Sequence, residues 1–247
     1  TILVTLFTGL LIGMGSGVNV QTAISLGAGN QKKVEHTVHT SLLICTVAGL
    51  IVGAVCFLFA DGMLSRMNTK PELIGQAVLY LKIYALGLPA LAVYNFGNGV
   101  LSAGGDTKRP LIYLAIAGVL NVLLNLFFVI VCKMAAPGVA LASAIAQCVS
   151  ALLIVIHLFR RKDEIRLQPS KIRFEKTTAK SVLMLGIPAG IQNAIFAMAN
   201  LFVQTGINSF DAVMVSGNSA AANADPLIYN VMAAFYTGCS SFMGQNR

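Results

Sequence analysis

The amino-acid sequence predicts an all-α membrane protein, a polytopic bundle of helices. Of the 247 residues, 56% are hydrophobic and only 11% are charged, whereas soluble domains contain about 25% charged residues. The apolar residues form runs that are long enough to cross a bilayer, which takes roughly 20 residues per helix. Each run must be helical, because lipid offers no partner to the polar groups of the backbone.

Seven such runs follow one another along the chain. The third contains Pro89, which we expect to kink its helix and to act as a conformational hinge. A polar stretch rich in basic residues separates the fifth run from the sixth. The predicted spans are residues 2–26, 40–60, 72–103, 110–131, 138–159, 182–209 and 222–245.

Basic residues distinguish the two sides of the membrane. If the first run ends in the cytoplasm, the cytoplasmic segments carry 13 Lys and Arg residues and the outer loops carry 3. Cytoplasmic loops are enriched in Lys and Arg, so this orientation is strongly favoured. The bases explain the net charge of +8 without a nucleic-acid partner. We expect the polar stretch 161–180 to be a solvated linker that rests on anionic lipid headgroups.

Amide side chains within the runs indicate a water-accessible cavity. Asn121 and Asn125 are four residues apart and share one face of a helix, and Asn95 follows Pro89. An amide in hydrocarbon must be hydrogen-bonded or wetted. A bond between helices explains any single one, but amides in several spans better fit the cavity that a transporter requires. Further amides are Gln147, Gln192, Asn193, Asn200 and Gln204.

Glycines recur at every fourth residue of the first run, at Gly9, Gly13 and Gly17. Small residues at this spacing let helix backbones approach closely, so we expect a tight helix–helix contact here. Two ionisable residues, Lys82 and Asp225, fall within or near spans. The sequence allows two interpretations of these residues. One is a functional role inside the membrane, and the other is a position at the membrane interface.

The sequence contains no arrangement typical of an enzyme or a metal centre. The five cysteines form no CxxC pair and are interpreted as small buried hydrophobic residues. His36 and His39 have a spacing that could bind metal, but no HExxH motif accompanies them. No Ser–His–Asp set or phosphate-binding loop is visible. We therefore expect no enzymatic activity, no metal and no bound cofactor.

The segment LSAGGDTKRP, residues 101–110, predicts a tight cytoplasmic turn. Gly105 suits the end of one helix, and Asp106 or Thr107 can cap the next. Lys108 helps to keep the turn on the cytoplasmic side. We interpret this turn as the joint between two moving helices rather than as a substrate site.

The ends of the first and last runs are similar to each other. SGVNVQTAISL at 16–26 can be laid on TGCSSFMGQNR at 237–247, with Asn19 on Ser240. Both segments are predicted to end at the cytoplasmic face. This suggests two similar halves in the same orientation, which is a known transporter design. The chain begins inside an apolar helix, so we expect an internal piece of a longer protein.

Several segments resemble, in order, the multidrug and toxic compound extrusion (MATE) family. GLPALAVYNFGNGVLSAGGDTKRP at 87–110 resembles the signature of that family's fourth helix. ISLGAGNQKKVEH resembles the end of its second helix, and NVLLN followed by PGVALASAIAQ resembles its fifth and sixth. LGIPAGIQNAIFAMANLF resembles the opening of its seventh. The similarity covers essentially the whole chain.

The resemblance implies a transporter with two six-helix lobes, of which this chain would run from the second helix to the eighth. Residues 1–160 would belong to the first lobe, 161–180 to a basic cytoplasmic linker and 181–247 to the second lobe. It implies a multi-pass protein of the cell inner membrane, and we expect a monomer. It also implies export of small amphipathic or cationic compounds in exchange for H⁺ or Na⁺ by alternating access. Many members have Asp where this chain has Asn125, so the resemblance does not decide whether the coupling ion is H⁺ or Na⁺.

Both lobes contain candidate residues for substrate and ion binding. Asn95, Asn121 and Asn125 are expected to line a first-lobe cavity. The nearest alternative is a lipid-linked oligosaccharide flippase of the same superfamily, which would need a cationic cavity for which only Lys82 is available. A membrane-embedded enzyme and a seven-helix receptor fit the sequence less well. The second-lobe candidates are Gln192, Asn193, Asn200 and Gln204.

Overall fold

The computed structural model describes residues 2–66, 71–207, 228 and 231–246, and long helices make up most of this part of the chain. Six of its helices are long and apolar enough to cross a membrane. The predicted all-α membrane fold is therefore confirmed. The helices are α1 (Ile2–Gly27), α2 (Gln31–Arg66), α3 (Pro71–Ala103), α4 (Lys108–Leu126), α5 (Ala136–Arg160) and α6 (Lys176–Ile207), followed by α7 (231–245).

Two of the predicted spans differ from the helices. The second, 40–60, is shorter than α2, which has 36 residues and is therefore about 54 Å long. A helix of this length exceeds the hydrocarbon core of about 30 Å, so the charged ends of α2 extend beyond it. The seventh, 222–245, coincides with a described helix only over α7. Asp225 lies outside the described residues.

Pro89 lies inside α3 without ending it. Proline lacks the N–H that would bond the carbonyl four residues earlier, here that of Ala85. Gly53 of α2 stands at this point, where an added Cβ would lie 3.0 Å from the Ala85 oxygen. The missing side chain at Gly53 thus lets α2 pack over the weakened turn of α3. That Pro89 acts as a hinge stays a prediction.

Two clusters of buried apolar side chains join the helices. The one on the side predicted to face the cytoplasm, here called the cytoplasmic cluster, includes Phe96 of α3 and Leu158 of α5, and both are fully buried. The one on the opposite side, here called the outer cluster, includes Leu11 of α1 and Leu88 of α3. Lipid is as apolar as these side chains, so they stabilise the bundle through close packing rather than by leaving water.

The linker after α5 is docked on α2, α5 and the turn that follows α3, so the expectation of a solvated segment was wrong for its middle part. Ile165 and Leu167 are buried and belong to the cytoplasmic cluster. The backbone N–H of Leu167 donates to the Leu158 carbonyl at 3.1 Å. The backbone N–H of Gln168 donates to His39 Nε2 of α2 at 3.0 Å. Two apolar side chains within a basic segment thus contribute to its packing against the bundle.

The turn between α3 and α4 closes as its glycines predict. Gly105 has a φ of +81°, a conformation that favours glycine. The N–H of Asp106 donates to the Leu101 carbonyl at 2.9 Å, as in a Schellman motif. Asp106 Oδ1 accepts from the backbone N–H of Arg109 at 3.4 Å, whereas Thr107 makes no capping bond with its side chain. Of the two predicted caps, Asp106 is therefore the one in use.

Asp106 also binds the linker. Its Oδ2 accepts from Arg161 Nη1 at 2.9 Å and from Arg109 Nη1 at 3.1 Å. Arg161 is paired with Asp163 as well, at 2.5 Å. Hydrogen bonding to Asp163, and then to Asp106, raises the pKa of the Arg161 guanidinium above its ordinary value. The Arg161 guanidinium therefore stays charged at every physiological pH.

We expect Asp106→Ala to release the linker from the bundle. Loss of its hydrogen bonds to the two guanidinium groups should lower the free energy of unfolding by about 2 kcal/mol. Limited digestion with trypsin measures the effect, because the linker should be cleaved faster after Arg166. Lys108→Ala is the matched control, since Lys108 is an exposed residue of the same turn. Equal cleavage rates in both variants would show that Asp106 does not hold the linker.

Candidate ion and substrate site

Two amides that were predicted to share a helix face form one hydrogen-bonded chain. Asn125 Nδ2 donates to Asn121 Oδ1 at 3.0 Å. Asn121 Nδ2 donates to Ser143 Oγ of α5 at 3.3 Å, and Ser143 Oγ donates to the Val139 carbonyl at 3.0 Å. Asn121 and Asn125 lie near the middle of the span Lys108–Val131. The amide chain (Asn121, Asn125 and Ser143) therefore joins α4 to α5 inside the membrane.

One acceptor of the amide chain is unused. Asn125 Oδ1 is buried and has no hydrogen-bond partner in the structure. A buried polar atom without a partner costs about 1–3 kcal/mol. A cation or a hydrogen-bond donor brought to this position would satisfy it. The amide chain can thus accept a ligand, but it carries no charge and does not titrate.

A second partly buried amide lies one helical turn further along α5. Gln147 follows Ser143 by four residues and so shares its face. Its Nε2 donates to the hydroxyl of Tyr84 on α3 at 3.1 Å. Its Oε1 has no hydrogen-bond partner and occupies the space that a side chain at Gly87 would need. Gln147 and Tyr84 therefore connect α3 to α5 beside the amide chain.

The structure places Asn95 apart from Asn121 and Asn125, in a polar cleft between α1, α3 and α7. Asn95 Nδ2 donates to the Leu91 carbonyl within α3 at 3.0 Å. Asn95 packs on Gly15 of α1, where an added Cβ would lie 2.9 Å from the Asn95 carbonyl oxygen. The cleft has a volume of about 160 Å³. Its polar lining consists of Ser16, Asn19, Asn95, Asn98, Ser102, Tyr236, Thr237 and Ser240.

The candidates on α6 do not form a group. Asn193 Nδ2 donates to the carbonyl of Gly9 on α1 at 3.1 Å, so Asn193 joins two helices. Gln192 and Asn200 are exposed. The side chain of Gln204 lies outside the described residues. A role for these amides in substrate or ion binding stays a prediction.

Lys82 is paired with a carboxylate of the neighbouring helix. Its Nζ lies 2.6 Å from Asp61 Oδ2 and 5.9 Å from the ring centroid of Phe57. The side chains of Lys82 and Asp61 are 31% and 63% exposed, and both lie toward the outer ends of α2 and α3. The pair gives Lys82 a carboxylate partner. Within the described parts of the chain, no three His, Cys, Asp or Glu residues are grouped as a metal site would require.

Several members of these polar groups were not predicted as site residues, among them Ser143, Tyr84 and Asn19. Ser143 precedes Gln147 by four residues, and this spacing could have revealed it. Tyr84 gives no such signal, because tyrosine is common in membrane helices near the interface. Asn19, which is 4% exposed, was noticed only as part of the internal repeat.

Comparison with known protein families identifies the family of this helix bundle. A family model described as MatE matches residues 1–127, which is just over half of the chain. The chain belongs to the MatE family. The resemblance that was based on residues 87–110 and the flanking segments is thereby confirmed.

Two curated bacterial relatives of the MatE chain match it along most of its length. Probable multidrug resistance protein YpnP of Bacillus subtilis is 28% identical over 246 residues, which is 100% of this chain and 55% of the relative. Multidrug resistance protein PmpM of Pseudomonas aeruginosa is 28% identical over 98% of this chain and 51% of its own length. The chain thus spans about half the length of the curated relatives it matches.

The solved structures show the same arrangement of helices. A crystal structure of MATE in complex with MaD5 has a TM-score of 0.88 to this MatE chain, at 20% identity, over 99% of this chain and 57% of that one. A crystal structure of MATE in the bent conformation has a TM-score of 0.85 at 21% identity. The chain is therefore a multi-pass membrane protein with part of the two-lobed MatE fold.

Proposed function

We propose that this chain is part of a secondary active multidrug efflux antiporter of the inner membrane. The protein exports amphipathic or cationic compounds in exchange for H⁺ or Na⁺ by alternating access. The observation that carries this proposal is a partly buried amide chain, with one buried acceptor that lacks a partner, within a MatE bundle. The names of the relatives YpnP and PmpM, which refer to multidrug resistance, support drug-like substrates.

The amide chain serves as the first-lobe ligand site. Asn125 Oδ1 would accept a hydrogen bond from the substrate or coordinate the coupling ion. Oxygen atoms of amides are suitable ligands for a hard cation, and uncharged oxygen atoms bind Na⁺ in other transporters. An amide does not bind a proton at cellular pH, so coupling to H⁺ would require a carboxylate elsewhere in the protein. The ligand shifts the equilibrium between states by its difference in affinity for them.

The contacts of Lys82 favour export of drug-like compounds over the flipping of a lipid-linked oligosaccharide. A flippase for such a lipid needs cationic groups to hold its pyrophosphate. Lys82 is the basic residue that the sequence places inside a span, and it is neutralised by Asp61 at the outer ends of α2 and α3. The candidate cavity is instead lined by amides and hydroxyls, which accept neutral and cationic compounds.

Uptake of a fluorescent cationic dye into inside-out vesicles tests the proposal. The vesicles contain the full-length protein, and gradients of Na⁺ and of pH are imposed separately. We expect uptake that depends on one of the two gradients and that stops when an ionophore collapses it. Vesicles without the protein are the control. Dye uptake that no ion gradient drives would contradict antiport.

A further inference from the structure

The cytoplasmic ends of α1, α3 and α7 are joined by side-chain hydrogen bonds. Ser241 Oγ of α7 donates to Asn19 Oδ1 of α1 at 3.1 Å. Asn19 Nδ2 in turn donates to the Gly99 carbonyl of α3 at 3.2 Å. Gln245 Nε2 of α7 donates to the Ala103 carbonyl of α3 at 2.5 Å. A helix of the predicted second lobe is thus bonded at two points to helices of the predicted first lobe.

The backbones of α1 and α7 are in direct contact at this end. A side chain at Gly27 would collide with the backbone of Gln245. A Cβ added at Gly244 would lie 2.9 Å from Cβ of Ala23. Asn19 is almost completely buried, so its bonds are shielded from water. The two helices therefore touch at Gly27 and at Gly244.

This contact separates two cavities. On the membrane side lies the polar cleft of about 160 Å³, which Asn19 and Ser240 help to line. On the cytoplasmic side lies a depression of about 530 Å³, lined by Leu26, Gly27 and Gln245. The bonded ends of α1, α3 and α7 therefore lie between the polar cleft and the cytoplasmic depression.

We propose that Asn19, Ser241 and Gln245 form a latch that closes the cytoplasmic entrance between the two lobes. This inference rests on the proposed alternating-access function and assigns the residues that regulate it. The internal repeat explains the position of the latch, because equivalent ends of α1 and α7 meet at one face of the membrane. When the latch opens, the polar cleft becomes continuous with the cytoplasmic depression.

The chemistry of the latch allows it to open reversibly. It consists of amides, a hydroxyl and backbone carbonyls, with no ion pair. Water that enters on opening would replace each bond, so the net contribution of each is small. Removal of one bond should shift the ratio of closed to open molecules about fivefold.

Thiol labelling from the cytoplasmic side tests the latch. The five native cysteines are replaced in the full-length protein, and Asn98→Cys places one thiol in the polar cleft. A membrane-impermeant maleimide is then added to inside-out vesicles. We expect Ser241→Ala and Gln245→Met each to increase the labelling rate about fivefold. Ser65→Ala is the control, because Ser65 bonds only within its own helix α2 in the structure. Unchanged labelling in both latch variants would overturn the proposal.

Cross-linking gives a second test that does not depend on transport. The pair Asn19→Cys and Ser241→Cys should form a disulfide with copper phenanthroline, whereas Ile12→Cys and Ser241→Cys, two turns away on α1, should not. Reversible loss of dye uptake on cross-linking supports the latch, and continued uptake by cross-linked protein overturns it. A pair that does not cross-link overturns it as well. If the unmodified protein transports no dye but cross-linking and labelling agree with the latch, only the proposed function fails.

Discussion

Asn121→Leu and Asn125→Leu, made together in the full-length protein, are expected to abolish drug export while the protein remains folded. Leucine has the same branched outline as asparagine but offers no hydrogen bond to Ser143 and no free acceptor. Replacing both bonded amides by apolar groups of similar shape costs little stability. A ligand that loses a bond of about 1.5–3 kcal/mol should bind at least about tenfold more weakly. Dye efflux from intact cells and growth in the presence of drugs measure the effect.

Two further variants make this experiment specific. Val122→Leu, on an exposed face of the same helix, should leave efflux unchanged. Ser143→Ala removes only the hydroxyl that Asn121 bonds, so we expect a partial loss. Normal drug resistance in the double leucine variant, with a normal amount of folded protein, would exclude Asn121 and Asn125 from the site.

Gly13→Ala is expected to disrupt the crossing of α1 and α6. A Cβ at Gly13 would collide with the backbone of Gly190, and Gly17 lies close to Gly186 in the same way. The obstacle is backbone rather than a flexible side chain, so the helices must separate. Overpacking of this kind costs up to about 3 kcal/mol. Size-exclusion chromatography after heating should therefore show aggregation at a clearly lower temperature than for the unmodified protein.

Gly118 of α4 provides the matched control for this crossing. A Cβ added there meets no atom within 4 Å, and alanine favours helix over glycine by about 1 kcal/mol. Gly118→Ala should therefore leave the melting temperature unchanged or raise it slightly. A similar loss of stability in both alanine variants would mean that the close approach at Gly13 is not the cause.

Hydropathy located the membrane spans well because lipid imposes both a length and a polarity on each helix. The bounds of α1 and α3 agree closely with the predicted spans. The bounds of α2 do not, because its charged ends continue as helix outside the hydrocarbon. An apolar window detects the part of a helix that crosses lipid, which is not always the whole helix.

The amide chain could be predicted only in part. Asn121 and Asn125 are neighbours on one helix, and helix geometry alone fixes that relation. Ser143 lies 22 positions from Asn121, so their contact depends on which face of α5 turns toward α4. Periodicity within one helix does not contain this information. The same reason explains why Asn95 was grouped with the first-lobe amides although its side of α3 adjoins α1.

The docked linker shows a different limit of sequence reasoning. Charge and polarity led to the expectation of a solvated segment, and the bases around Ile165 and Leu167 support that interpretation. The sequence EIRLQ at 164–168 nevertheless alternates polar and apolar residues, which is typical of a segment with one buried side. Five residues are a weak signal, and the cavity between α2 and α5 that receives them is not visible in the sequence.

The bond between Asn193 and Gly9 has a consequence for biogenesis, because the two residues are 184 positions apart. A ribosome adds about 5–20 residues per second, so α1 enters the membrane on the order of ten seconds or more before α6 exists. During that interval the glycine face of α1 has no partner helix. Nascent chains that end before Lys176 should therefore keep this face available to lipid or to an insertion chaperone. The helix α1 is thus translated well before one of the helices that surround it.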